Sequence, residues 1–129
     1  MNISQASSLT GLSAKSIRFY EDKGIITPPR RLNNGYRDYQ ESQVEQLKIV
    51  ARARMVGFHL DECKALVELA SDPCRTSYKV KETTKAKLAE VDKKLAELTL
   101  IRQQLVEWIN ECPGDNGPNC PIIDGLTGQ

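Results

Sequence analysis

The residues of this 129-residue chain best suited to chemistry are four cysteines, Cys63, Cys74, Cys112 and Cys120. The last two bracket the stretch Cys112-Pro-Gly-Asp-Asn-Gly-Pro-Asn-Cys120, whose seven inner residues include two Pro and two Gly. Such a segment cannot continue a helix and must be a loop. Its turn chemistry can fold the two ends toward each other, and two sulfurs brought together make a small soft site. Cys63 falls on an apolar helix face and reads as core filling. Cys74 reads as a loop thiol. The single His59 stands beside a helix start and reads as a surface residue rather than a ligand. With one His, no Gly-rich phosphate loop, no paired acids and no Cys-x-x-Cys, no catalytic constellation is visible, and the chain does not read as an enzyme.

Several elements must position that loop. Ser4 to Gly11 reads as a short helix with Ser4 as N-cap and Gly11 as stop. Ser13 can cap a second helix running to Lys23, with Gly24 ending it, so the pair is a helix-turn-helix candidate. Lys15 and Arg18 lie on the outer face of the second helix, where they can meet phosphates or base edges in a major groove. Ile25 to Pro29 leaves in an extended conformation. Asn34-Gly35 is a two-residue hairpin signal, because both residues tolerate positive φ. Arg31, Tyr36 and Arg37 surround it, which makes the hairpin a basic wing suited to the phosphate backbone. A third helix runs from Glu41 to Val56, ended by Gly57, with Arg52 and Arg54 near its C-terminus. A fourth begins near Phe58 with Asp61 as N-cap.

From about Ser77 to Asn110 there is no Pro or Gly, which predicts a helix roughly 50 Å long at 1.5 Å per residue. Leu88, Val91, Leu95, Leu98, Leu105 and Ile109 give it an apolar seam, interrupted by Arg102. One helix cannot bury such a seam alone, and the most economical partner is a second copy of itself, so the sequence predicts a homodimer. The pattern does not fix the direction of pairing. Beyond the cysteine loop, Pro121 suits the first position of a short helix with Cys120 at its N-cap, where free N–H groups favour a thiolate. Ile122, Ile123 and Leu126 can then cover the site. Residues 1–60 carry nine Lys/Arg against five Asp/Glu, and residues 61–129 nine against twelve, so a basic first half is joined to a mildly acidic second half. That balance fits a nucleic-acid surface attached to something else. No apolar run approaches a membrane span and no signal-peptide core is present, so a cytoplasmic location and reduced thiols are expected.

The chain resembles the MerR family of transcriptional regulators, in its copper-responsive branch of CueR type. The resemblance rests on Ser16-Ile17-Arg18-Phe19-Tyr20-Glu21 with Gly24, Asn34-Gly35-Tyr36-Arg37-Asp38-Tyr39, Val56-Gly57-Phe58-His59-Leu60, the long helix, and Cys112-Pro-Gly with Cys120-Pro-Ile-Ile. It covers nearly the whole chain. It implies a mainly α fold: a winged helix-turn-helix DNA-binding domain over 1–71, a dimerisation helix with its linker over 72–111 pairing as an antiparallel coiled coil, and a metal-binding loop with a short helix over 112–129. The implied function is an activator that deforms promoter DNA so that RNA polymerase can use it, switching on copper-efflux genes. The implied DNA contacts are Lys15, Arg18 and Tyr20 of the recognition helix, Arg31, Asn34, Tyr36 and Arg37 of the wing, and Arg54. The implied metal ligands are Cys112 and Cys120.

Members that sense divalent ions place a further cysteine, from the partner subunit, at the start of the long helix. Here that position is Ser77. Two thiolates without a third suit Cu(I), one per subunit, with Ag(I) and Au(I) as mimics. Two thiolates and one monovalent ion leave one negative charge, and Lys81 matches the position that neutralises it in this branch. Two alternatives stay open: a Zn(II), Cd(II) or Hg(II) sensor drawing on Cys74, and a thiol redox switch.

Overall fold

Helix ends decide where the chain turns, because four N–H groups at each start and four carbonyls at each end need partners outside the helix. The computed structural model describes residues 1–128. α1 (Ile3–Thr10) is capped by Asn2, whose Oδ1 accepts from the Gln5 N–H at 2.9 Å while Gln5 Oε1 accepts from the Asn2 N–H at 2.9 Å. The expected cap, Ser4, is inside the helix; an Asn followed three residues later by Gln satisfies two donors reciprocally, which Ser4 does not. α2 (Ala14–Asp22) starts at Ser13, whose Oγ accepts from the Ser16 N–H at 3.1 Å. α3 spans Glu41–Met55 and α4 spans Leu60–Ser71. The N-cap of α4 is His59 rather than Asp61: Glu62 Oε1 accepts from the His59 N–H at 2.8 Å, and Asp61 sits in the first turn, where an acid suits the helix dipole. Gly57, at φ +93°, makes the left-handed step between α3 and α4.

Between α2 and α3 a two-stranded antiparallel hairpin forms from β1 (Arg30–Arg31) and β2 (Arg37–Asp38), with Arg30 opposite Asp38 and Arg31 opposite Arg37. Its turn differs from the two-residue expectation. The Gly35 N–H donates to the Leu32 carbonyl at 2.9 Å and the Leu32 N–H donates to the Tyr36 carbonyl at 2.8 Å. Only Gly35 has positive φ, at +83°; Asn34 stays in the ordinary region and uses its Oδ1 to accept from the Tyr36 N–H at 3.1 Å. The loop is therefore a four-residue turn, Leu32–Gly35, closed by one left-handed glycine.

Two compact units divide the chain, Met1–Thr84 and Lys85–Gln129. In the first, α1 packs on α2 and α3, and α3 packs on α4. Ala6, Ile17, Leu47, Val50 and Cys63 are fully buried there, with Tyr39 1% exposed. Cys63 is core filling, as its helix position indicates. The second unit holds most of α5 (Ser77–Glu111) and all of α6 (Pro121–Leu126). The seam residues Leu88, Val91, Leu95, Leu98, Leu105 and Ile109 are 37–66% exposed. Among the described residues no helix is long and apolar enough to cross a membrane.

Leu47, on α3, belongs to the hydrophobic core and has no exposed surface. Leu47→Ala is expected to destabilise the first unit by about 3 kcal/mol, through lost transfer energy and the cavity left behind. The midpoint of urea unfolding, followed by circular dichroism, measures it. A loss below about 1 kcal/mol would mean that the centre of the core lies elsewhere.

Candidate functional site

On the first unit, α2 holds Lys15 and Arg18 exposed on its outer face while Ile17 is buried in the core. Tyr20 is 8% exposed and belongs to the core cluster, so its ring is chiefly a packing element of the helix expected to carry it to DNA. A groove of about 560 Å³ is lined by Arg18 together with Asn34, Tyr36 and Arg37 of the hairpin and by Met1–Ser4. The structure thus brings one cation of the helix and three of the wing residues to a single concave face. Tyr36 projects at 71% exposure. Arg31 is exposed and braces the turn, its Nη1 donating to the Gly35 carbonyl at 3.0 Å. Arg54, also exposed, donates from Nη1 to the Phe58 carbonyl at 3.1 Å across the α3–α4 turn, so a phosphate there would meet an already oriented guanidinium.

The hairpin is tied to α2 by a polar cluster that the sequence reading did not single out. Arg37 Nε donates to both carboxylate oxygens of Glu21, at 2.9 and 3.2 Å, and the Tyr39 hydroxyl donates to Glu21 Oε2 at 3.2 Å. Burial, then the neighbouring Glu21 charge and hydrogen bond, push the Tyr39 hydroxyl up to about 12. At the base of the wing, Asp38 Oδ1 accepts from the Met1 ammonium at 2.8 Å and Oδ2 accepts from Arg30 Nη2 at 3.3 Å; these two cations hold its carboxyl below the usual range. The available signal was the acid closing the Arg-Phe-Tyr-Glu block, but only the fold brings residues 16 to 18 positions apart into contact.

In the second unit, Cys112 follows directly on α5, its N–H donating to the Trp108 carbonyl at 3.1 Å. Cys120 is the N-cap of α6 with extended backbone, Pro121 taking the first helical position. Inside the loop, Asp115 Oδ1 accepts from the Gly117 N–H at 2.9 Å, a side-chain turn that reverses the chain. Both thiols are free and half-buried. Among the described residues no His, Cys, Asp or Glu joins these two in a cluster of three ligand atoms. Two thiols are the kind of donor that suits a soft ion of low coordination number. Ile122 is half-buried, whereas Ile123 is 56% and Leu126 65% exposed, so the expected apolar cover is not completed by the chain's own residues. Ser77 and Lys81 are exposed in the first turns of α5, and Cys74 is exposed in the preceding turn with its N–H donating to Asp72 Oδ1 at 2.8 Å. These three belong to the first unit and the loop thiols to the second.

Comparison with known proteins adds the following. The family described as "MerR HTH family regulatory protein" matches residues 1–69, and that described as "MerR, DNA binding" matches residues 44–108. A Vibrio cholerae protein named HTH-type transcriptional regulator CueR is 56% identical over 129 residues, spanning 100% of this chain and 93% of its own. Among solved structures, the transcription regulator PbrR691 from Ralstonia metallidurans CH34 in complex with lead(II) shares 26% identity at a TM-score of 0.84, over 98% of both chains. MerR of Bacillus megaterium MB1, in complex with mercury(II), shares 26% at a TM-score of 0.73, over 95% and 94%.

The folded state holds the Tyr39 proton more tightly than the ordinary value of 10, so stability from this group is complete below pH 10 and is lost as pH rises toward 12. A tyrosinate absorbance titration is expected to show one of the four tyrosines ionising near pH 12. Tyr39→Phe removes that step, and Glu21→Gln moves it down. A late step that survives Tyr39→Phe would overturn the assignment.

Proposed function

The chain belongs to the MerR family of helix-turn-helix transcriptional regulators, and from that premise we propose that it is a dimeric, Cu(I)-responsive activator of copper-efflux genes. It is a transcription regulator and not an enzyme. The observation that carries the ion assignment is the donor set: two free, half-buried thiols, Cys112 and Cys120, with Ser77 and not a cysteine opening α5. Cys112 and Cys120 would hold the ion through their thiolates, soft donors that suit a monovalent copper-group ion. The pair with a monovalent ion keeps one negative charge, which Lys81 of the partner copy offsets. A divalent ion would cancel both thiolate charges and leave that lysine without a counter-charge. Relatives with the printed name CueR, at 47–56% identity, support the copper reading.

The exposed seam of α5 supports dimerisation. Six apolar side chains stand 37–66% exposed in the single chain, and burying the rest of each would contribute roughly half of the ~1.5–3 kcal/mol that full burial of such a side chain gives. An antiparallel pair of α5 helices buries them and sets two recognition helices on successive major grooves. On promoter DNA, Lys15 and Arg18 with the wing residues Arg31, Tyr36 and Arg37 hold the backbone, as does Arg54. Asn34 shapes the wing tip, and Tyr20 sets the recognition helix on its core. Closing the metal loop shifts the dimer to a form that bends and untwists the DNA, aligning the promoter elements for RNA polymerase. Specific recognition is then unchanged while deformation energy is redistributed.

Transcription from a cognate promoter, measured against free Cu(I), Ag(I) and Zn(II) under reducing conditions, tests the reading. Cu(I) and Ag(I) should induce. Induction by Zn(II) at comparable free concentration would support a divalent sensor drawing on Cys74, and induction by oxidant without metal a redox switch. Cys112→Ser should abolish induction and leave DNA affinity within about twofold, since the loop lies outside the residues assigned to DNA. Ser77→Cys should broaden the response to divalent ions. An unchanged ion profile would count against the ligand-number argument.

A further inference from the structure

Seven of the eight glycines in the chain meet nothing beyond their own turn, and six of them take positive φ, between 65 and 93°. Gly125 is different. Its φ is not positive, and it sits inside α6, where glycine is among the poorest helix formers. Backbone freedom does not explain it; space does. A Cβ placed on Gly125 would lie 2.7 Å from Trp108 Nε1, 3.0 Å from Cε2 and 3.1 Å from Cζ2. At the shortest of these approaches the indole would have to shift, so α6 lies on Trp108 more closely than a residue with a Cβ would at this position without moving the ring. Trp108 is the single tryptophan, and it is half-buried on a stretch of α5 whose immediate neighbours are exposed.

The position of this contact gives it a role. Cys112 lies four residues after Trp108, one helical turn along, and its N–H still bonds to the Trp108 carbonyl. Cys120 lies five residues before Gly125 at the start of the same short helix. The contact therefore ties together the two ends of the segment that contains both thiols, each about one helical turn inside the tie. We propose that Trp108 and Gly125 form a clasp that sets the two cysteines in register before any ion binds, making Trp108 a positioning residue of the metal site. The inference rests on the reading of Cys112 and Cys120 as ligands. A Pro- and Gly-rich loop with free ends would have to be ordered at the moment of binding, and that ordering would weaken affinity. With the clasp closed, folding ties both flanks of the loop before the ion binds, so less remains to be ordered.

The test uses the full chain, reduced, with Ag(I) as the probe. Binding is followed by the emission of Trp108, the only indole, and by competition with a soluble chelator of monovalent copper-group ions. Wild type should bind one Ag(I) per chain with a change in indole emission. Gly125→Ala should weaken Ag(I) binding by roughly tenfold, with metal-free DNA affinity and helix content unchanged. Trp108→Leu should also weaken binding. In the Trp108→Leu background Gly125→Ala should add nothing, because the atoms it would strike are gone. The clasp is overturned if Gly125→Ala binds Ag(I) like wild type, or if the two losses add in the double variant. Failure of the wild type itself to bind Ag(I) would overturn the ligand reading and the clasp with it, whereas normal wild-type binding with indifferent variants overturns the clasp alone.

Discussion

An exposed apolar stripe on a long helix is the constraint from which the rest follows. α5 runs for 35 residues, and Leu88, Val91, Leu95, Leu98, Leu105 and Ile109 stand along it uncovered. A helix gains little from its own hydrogen bonds in water and needs a packed face to persist at this length. The core of the first unit is built from other residues, Leu47 and Val50 among them. In the proposed dimer a second copy would supply a surface that repeats the seam's own spacing. In the proposed pairing the start of α5 of one copy serves the thiols of the other, Lys81 by its charge and Ser77 by offering no third thiolate.

The outline of the fold was legible because it depends on local signals. Ser13 before an apolar helix face, Gly57 between two helices, and thirty-odd residues without Pro or Gly each specify one backbone outcome. The errors came where two local solutions compete. Ser4 is a good capping residue, but Asn2 with Gln5 satisfies two donors where Ser4 satisfies one. Asn34-Gly35 is compatible with two positive-φ residues, yet Asn34 Oδ1 bonds the Tyr36 N–H and the turn closes on Gly35 alone. Asp61 could cap α4, but Glu62 reaches back to His59.

The candidate sites were legible in unequal measure. The cysteine loop announces itself, since two cysteines around a Pro-Gly turn are a contiguous signal. The organisation of the DNA face does not, because it depends on contacts distant in sequence. Glu21 receives Arg37 and Tyr39, 16 and 18 residues away, and nothing in the helical pattern distinguishes Glu21 from its neighbour Asp22. The consequence is physical. A carboxylate shared by an arginine and a buried tyrosine holds the wing at a fixed offset from the recognition helix. In the proposed complex, phosphate contacts from the two elements would then share one register and would not depend on a flexible hairpin finding it.

Trp108 and Gly125 mark the limit of reading residues one at a time. A tryptophan near a helix end and a glycine in a short helix are each unremarkable, and a lone glycine there even argues against the helix. Together they are a complementary pair in which a large ring fills the space that a missing Cβ leaves. The same logic applies to the exposed Ile123 and Leu126, which the single chain leaves uncovered. A residue that is costly in its own element is explained by what approaches it. In this chain those explanations converge on the loop between Cys112 and Cys120: a thiol at each end, an Asp115 turn in the middle, and a ring-on-glycine contact just outside. In the proposed site an ion would meet a loop whose two flanks are already tied, so less of the ordering would fall at the moment of binding.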